Sequence, residues 1–246
     1  MRCNLAGAFL SGMLVAPAVA DDLTKPPPLL PATFCDTLFD LDTPVFGSME
    51  PVNQFLVMES EYETLPITLP RNYLEDMWDF NEGYSVPSHA FRVDIDTFEP
   101  IRSRDLKAFF DKNGQRSLDI LIDDNWGLRK VLDTAIRWDL QSYEMFGGLT
   151  EVYDPKLGLT RIEPVEPFPR HKILFTNRVK HRPLIDVFSC RRPGDGVNQS
   201  CRHQFRVHDV DVYARYDDQH LPSWQIIKAN VTTFLGCMLN FEKSSN

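Results

Sequence analysis

Ser200-Cys201-Arg202-His203-Gln204-Phe205-Arg206-Val207-His208-Asp209-Val210-Asp211-Val212-Tyr213-Ala214 carries the clearest signal of architecture in the chain. Before His208 the apolar residues Phe205 and Val207 stand at odd positions; after Asp209 they stand at even ones, Val210, Val212 and Ala214. A two-residue turn at His208-Asp209 keeps both apolar sets on one face, which predicts a β-hairpin. His203 and Asp211 are expected on the opposing strands, pointing to solvent. Immediately upstream, Leu184 to Cys190 reads as another strand, and Arg191 to Ser200 is dense in turn formers. Two antiparallel strands joined by such a loop bring Cys190 and Cys201 to bridging distance. Closing a loop of that size stabilises by about 3 kcal/mol in the chain-entropy account.

Working outward, Leu149 to Tyr153 and Leu159 to Ile162 flank Asp154-Pro155-Lys156-Leu157-Gly158, a second hairpin, and Lys172 to Thr176 is a further strand. Gln54 to Met58, Ala90 to Ile95 and Ser117 to Ile122 supply strand patterns in the N-terminal half. Helices are expected over Arg71 to Trp78, over Ser103 to Lys112 with Ser103 as N-cap, and along Leu128, Val131, Leu132, Ala135 and Ile136. The last helix opens at Pro222 and carries Trp224, Ile227, Val231, Phe234, Leu235 and Met238 as one stripe. The expected fold is α+β: an antiparallel sheet of hairpins, a few helices packed on one face, a C-terminal helix and two disulfides.

The chain has 246 residues, 43% hydrophobic and 25% charged, which suits a globular core and excludes general disorder. A formal charge of -9 argues against nucleic acid as a partner. Arg2, an apolar run from Leu5 to Val15, then Ala18-Val19-Ala20 before Asp21-Asp22 have the layout of a secretory signal peptide. The run is too short and too broken by Ser11, Gly12 and Pro17 for a membrane anchor. Cleavage is expected after Ala20, with delivery to the periplasm. The predicted organisation is therefore a signal peptide over 1–20, a Pro-rich linker and N-terminal segment over 21–50, and an α+β domain over 51–246. A division of that domain into two subdomains falls near 140–165. The linker from Lys25 to Pro31 holds four prolines and is expected to be extended and poorly ordered.

Cys3 leaves with the signal, and Cys35, Cys190, Cys201 and Cys237 remain. An even number in an exported chain reads as two disulfides. With Cys190 paired to Cys201, elimination pairs Cys35 with Cys237. A four-cysteine zinc site is the rival, but it lacks any Cys-x-x-Cys spacing. Charge is distributed unevenly: residues 21–160 hold 12 Lys and Arg against 26 Asp and Glu, whereas residues 161–246 hold 13 against 9. The two halves neutralise one another across an internal interface, or an acidic face awaits a basic partner; the first is the simpler reading.

Motifs for catalysis are missing: no Gly-x-Ser-x-Gly elbow, no His-Glu-x-x-His helix, no phosphate-cradling glycine loop. Oxidised cysteines leave no thiol nucleophile. No catalytic residue, cofactor site or metal site is assigned. One concentration of imidazoles and carboxylates, His203, His208, Asp209, Asp211, Asp217, Asp218 and His220, has the composition of a zinc or calcium site. Turn chemistry at His208-Asp209 and Asp217-Asp218 explains most of it without a metal. Asn198-Gln199-Ser200 and Asn230-Val231-Thr232 match the glycan acceptor pattern by chance.

Phe188-Ser189-Cys190, then Ser200 to Phe205, Val210 to Tyr213, and Leu221-Pro222-Ser223-Trp224-Gln225-Ile226-Ile227, in that order, resemble poorly characterised periplasmic proteins of proteobacteria. Some of these look like immunity proteins encoded beside type VI secretion effectors. Leu69 to Leu74 and the hairpin from Gly148 to Ile162 are similar to that pattern too. The resemblance implies neutralisation of a toxic exported enzyme by occlusion, without catalysis by this chain, and a cognate toxin as partner. On that reading acidic residues between Glu59 and Asp139 steer a basic rim, and Trp78, Trp126 or Trp138 anchors the contact. Two other readings stay open. One is a periplasmic hydrolase or metal-binding enzyme with dispersed carboxylates such as Asp94, Asp96 and Glu99 acting with the histidines; the other is a structural envelope protein.

Overall fold

The computed structural model describes residues 25–39, 51–58, 63–74, 81–124, 127–141, 143–166, 168, 171–177, 183–191 and 199–239. The expected signal peptide, its cleavage site, Trp78, Trp126, Asn198 and most of the loop between Cys190 and Cys201 lie outside these residues.

The His208-Asp209 turn is where expected. Strands β10 (Ser200–Val207) and β11 (Val210–Asp217) pair antiparallel with Val207 opposite Val210. His208 and Asp209 both take positive φ, 50° and 64°, the left-handed pair that a two-residue primed turn demands. The other strands are β1 (Val52–Met58), β2 (Glu63–Leu69), β3 (Ser85–Val86), β4 (His89–Asp94), β5 (Ser117–Asp123), β6 (Leu149–Asp154), β7 (Leu159–Pro164), β8 (Lys172–Thr176) and β9 (Asp186–Arg191). Eight of them form one antiparallel sheet in the order β4-β5-β11-β10-β9-β8-β7-β6. Strands from both sides of residues 140–165 belong to this sheet. β1, β2 and β3 make a separate three-stranded sheet, with β2 and β3 on either side of β1.

Four α-helices accompany the sheets: α1 (Phe34–Leu38), α2 (Leu106–Asn113), α3 (Leu128–Asp139) and α4 (Trp224–Leu239). The whole predicted stripe of α4 is buried, and Phe234 is its hub. The Phe234 ring lies 5.3 to 5.5 Å from those of Tyr73, Phe91 and Phe98. Such clustered rings contribute beyond the area they bury. Both disulfides are present as paired in the sequence reading. Cys190 and Cys201 stand opposite one another in the β9–β10 register, and Cys35 on α1 is tied to Cys237 on α4.

The structure departs from expectation in four places. Helices cover both faces of the large sheet. Phe188, Cys190, Cys201 and Phe205 join the α4 cluster, whereas Ile162, Leu174 and Val187 pack with Val131 and Leu132 of α3. Consecutive residues of β9 alternate between these clusters, so each face has its own helix. The proline segment, expected to be poorly ordered, is docked: Leu30 N donates to Asn230 Oδ1 and Asn230 Nδ2 donates to Pro28 O. Asn230, read as a chance glycan acceptor, is a buried clamp on that segment. Ser103 opens a 3-10 turn and is not the N-cap of α2, which starts at Leu106 and buries none of its side chains fully. Of the helix read over Arg71 to Trp78, the described part is one 3-10 turn, Arg71–Tyr73, followed by Leu74.

Part of the uneven charge resolves inside the molecule. Asp119 of β5 accepts from Arg92 Nε at 2.7 Å and from Arg215 of β11 at 2.5 Å. Asp124 pairs with Arg206 at 3.1 Å, and Asp139 with Lys172 at 2.5 Å and Arg202 at 3.3 Å. In each case a carboxylate of the acidic half meets at least one cation of the basic half, because the topology lays β5 beside β11 and α3 across β8 to β10.

Candidate protein-interaction site

Two places in the described residues concentrate chemistry, and they lie on opposite faces of the large sheet. The first is buried. His203 is fully enclosed, contrary to the expectation that it faces solvent, and shares its face with Cys201 and Phe205. Its Nε2 lies 2.9 Å from Asp186 Oδ1, which also accepts from Lys228 Nζ of α4 at 2.7 Å. The imidazole stacks on Phe188 with centroids 3.9 Å apart, and Trp224 meets it edge-on at 5.8 Å. Burial in this aromatic box pushes His203 down to about 4, against the opposing pull of Asp186, so the ring is neutral near neutral pH. Asp186 Oδ2, His203 Nδ1 and Tyr216 Oη are buried without a hydrogen-bond partner among the described residues. An Asp–His pair recurs in hydrolases, but both side chains of this one are fully buried beneath α4.

The rest of the histidine and aspartate concentration disperses. His208 and Asp209 form the turn at one end of the β10–β11 hairpin, and His208 Nε2 approaches Thr232 O of α4 at 3.3 Å. That approach is close enough that a Cβ on Gly236 would stand 3.1 Å from the same nitrogen. Asp211 is held by Arg206 at 3.2 Å, on the side away from α4. Asp217, at the other end of the hairpin, caps a 3-10 turn by accepting from Gln219 N at 3.1 Å. Beside it, burial lowers His220 and Arg116 reinforces the effect, while burial and neighbouring Asp217 raise Asp218. Asp94 accepts from Asp96 N and Thr97 N in a tight turn, and Asp96 binds the Arg116 guanidinium through both oxygens. These carboxylates hold backbone and arginine. Among the described residues no group of three or more His, Cys, Asp or Glu is placed to hold a metal ion.

The second place is open. α3 buries only Val131 and Leu132 fully, while its Trp138 is 64% exposed. Across from it Ile185, just before β9, is 50% exposed. Between them runs a groove of about 950 Å³ lined also by Leu128, Thr134 and Leu184. Arg137 lies over the Trp138 ring at 5.6 Å, which fixes an aromatic and a guanidinium side by side. Arg129, Lys130 and Arg206 complete the wall, with Asp133 as its carboxylate. Beneath, Asp139 anchors the helix end to the sheet by accepting from Ser189 Oγ at 2.6 Å as well as from Lys172.

Trp138 is thus exposed, and Trp78 and Trp126 lie outside the described residues. The groove itself was not legible as a site. Its nearest signal was position: Trp138 stands at the margin of the α3 apolar stripe and Asp139 in the middle of it, where an apolar residue belongs.

No protein-family model and no curated protein sequence matches the chain. Two solved structures are similar in part. One is Smlt3025, an immunity protein of the Stenotrophomonas maltophilia type IV secretion system, at 14% identity and a TM-score of 0.48, over 76% of this chain and 92% of that one. The other is the Neisseria meningitidis iron-regulated outer membrane lipoprotein FrpD, at 12% identity and a TM-score of 0.47, over 82% of this chain and 98% of that one. Both are too distant to carry function across. Among the described residues no helix is long and apolar enough to cross a membrane.

Proposed function

We propose that this chain is an exported binding protein that neutralises a cognate secreted toxin by covering it, acting in the periplasm after cleavage behind Ala20. The observation that carries the reading is the α3 groove, where exposed Trp138 and stacked Arg137 of the helix stand across from exposed Ile185. Tryptophan and arginine are the side chains that dominate interface energetics. Occlusion needs a fixed, complementary surface and no reactive group, and a standard interface of roughly 1,600 Å² is available on a domain of this size. The groove wall is mainly cationic, so the contact there is with carboxylates of the partner, the reverse of the acidic steering read from the sequence.

The test pairs the exported and the signal-deleted chain with the toxin encoded beside it, in the same cells. Protection is expected only from the exported form, with a one-to-one complex on purification. Changing Trp138→Ala together with Ile185→Asp is expected to weaken that complex by about thirtyfold or more, the loss of one hot spot. Protection by the signal-deleted chain, or turnover of a small substrate by the purified protein, overturns the proposal.

A further inference from the structure

α3 crosses β8 to β10, and the face of the large sheet that carries it continues past the helix toward β4. Register sets a row of charge on that part: Arg202, Arg215, Asp119 and Arg92 stand side by side on β10, β11, β5 and β4. Asp139 of α3 takes Arg202, and among the described residues Asp119 is the one carboxylate paired with both Arg215 and Arg92. Two guanidiniums thus share one carboxylate. Arg191, two residues beyond Ser189 on β9, lies on the same face, is exposed, and has no side-chain partner among the described residues. Arg92, Arg191 and Arg215 line one cavity of about 550 Å³, lined also by Leu106 and Phe110 of α2. The second carboxylate of its lining, Asp217, is engaged by its own backbone, accepting from Gln219 N at 3.1 Å.

Three guanidiniums against two carboxylates leave the lining with a cationic excess and with donors to spare. Arg92 Nη2, Arg215 Nη1 and the whole Arg191 head donate to no acceptor among the described residues. A planar guanidinium binds the oxygens of a phosphate or carboxylate in pairs. Inside a cavity that attraction is screened less than on an open surface. The space has an apolar side as well. α2 buries none of its side chains fully, and Leu106 and Phe110 stay half-buried where they line it. We propose that this cavity binds a small molecule in which an oxyanion, phosphate or carboxylate, is joined to an apolar ring or chain. Arg92, Arg191 and Arg215 hold the oxyanion, and the apolar body rests on Leu106 and Phe110. The proposal depends neither on the toxin reading nor on the α3 groove.

The probes are phenyl phosphate, benzoate, inorganic phosphate and benzylamine, each titrated calorimetrically into the full disulfide-bonded chain at neutral pH and low salt. Phenyl phosphate or benzoate is expected to bind with a Kd of about 1 mM or lower, and the tighter of the two names the oxyanion. Inorganic phosphate should bind about tenfold more weakly than phenyl phosphate, a difference of roughly 1.4 kcal/mol, and benzylamine not at all. Arg191→Gln should weaken the aromatic anion by about tenfold and, because the side chain is exposed and unpaired, keep the unfolding midpoint. Phe110→Ser should bring phenyl phosphate to the affinity of inorganic phosphate without changing the latter, and Arg137→Gln in the α3 groove should change neither. No binding of either aromatic anion at about ten times the expected Kd overturns the proposal. So does benzylamine binding as tightly, equal affinity for phenyl and inorganic phosphate, or unchanged affinity in Arg191→Gln. A loss in Arg137→Gln equal to that in Arg191→Gln also overturns it, by placing the anion elsewhere.

Discussion

The two faces of the eight-stranded sheet carry helices of opposite habit. α4 buries eight of its sixteen residues, is bonded covalently to α1, clamps the proline segment through Asn230 and seals a charged cluster beneath it. α3 buries two of twelve, is fixed at its end by Asp139, and presents an aromatic and a guanidinium to solvent. The contrast teaches that cohesion and recognition are assigned to different faces. Substitutions on one face are expected to register in stability, and those on the other in binding.

The sharpest way to break this division is to cut the bridges. The Cys35–Cys237 link closes a separation of 202 residues and the Cys190–Cys201 link one of 11. Chain entropy alone predicts a loss of about 5 kcal/mol for the double alanine variant of the first and about 3 kcal/mol for the second. Urea unfolding of both variants, under conditions that leave the remaining bridge intact, measures the difference; equal losses contradict the cohesive role given to α4.

Acid is the next largest perturbation. His203 titrates at about 4 in the fold and near its ordinary value of about 6.5 when unfolded, so the unfolded chain binds the proton first. The stability this ring contributes is complete above pH 6.5 and is lost as the pH falls toward 4, on the order of 3 kcal/mol in all. His220, also lowered by burial, acts in the same direction. Asp94 and Asp218, raised by burial, act in the opposite direction, in the carboxylate range at the acid end of this window. Denaturant midpoints measured between pH 7 and 4 should fall, and His203→Gln should flatten most of the slope. A slope unchanged by that substitution breaks the link to the buried cluster.

The smallest effect is expected on the α3 face. Trp138→Ala should change the unfolding free energy by less than about 0.5 kcal/mol, as surface substitutions do, although tryptophan is the largest side chain in the molecule. Calorimetry of this variant settles whether the exposed ring is spare. A loss above about 2 kcal/mol would mean that it packs, and would remove it as an anchor.

What the sequence disclosed follows from the length of its patterns. The parity flip at His208-Asp209, the strand before Cys190 and the α4 stripe are local, and the structure has them where the side-chain periods place them. His203 shares odd parity with Cys201 and Phe205 and so belongs to the buried face, although its polarity alone points to solvent. β2 gives no clear strand signal because Pro66 interrupts it, and an edge strand of a small sheet tolerates that. The pairing of Asp186 with His203 and Lys228 joins three elements spread over 42 residues of sequence, and no local rule reports it. The α3 groove was invisible for the same reason, because Trp138 and Ile185 meet only after β6 to β8 have been laid down between them.

The ring closed by Cys35 and Cys237 has a consequence for how finished molecules differ from unfinished ones. Its two ends bracket both sheets, so the bond reports on everything between them at once. A chain interrupted between residues 201 and 237 can still form its β9–β10 bridge, yet it is left with Cys35 as an unmatched thiol. Intact and truncated products are therefore chemically distinct at a single atom, and a thiol-specific label counts the incomplete ones directly.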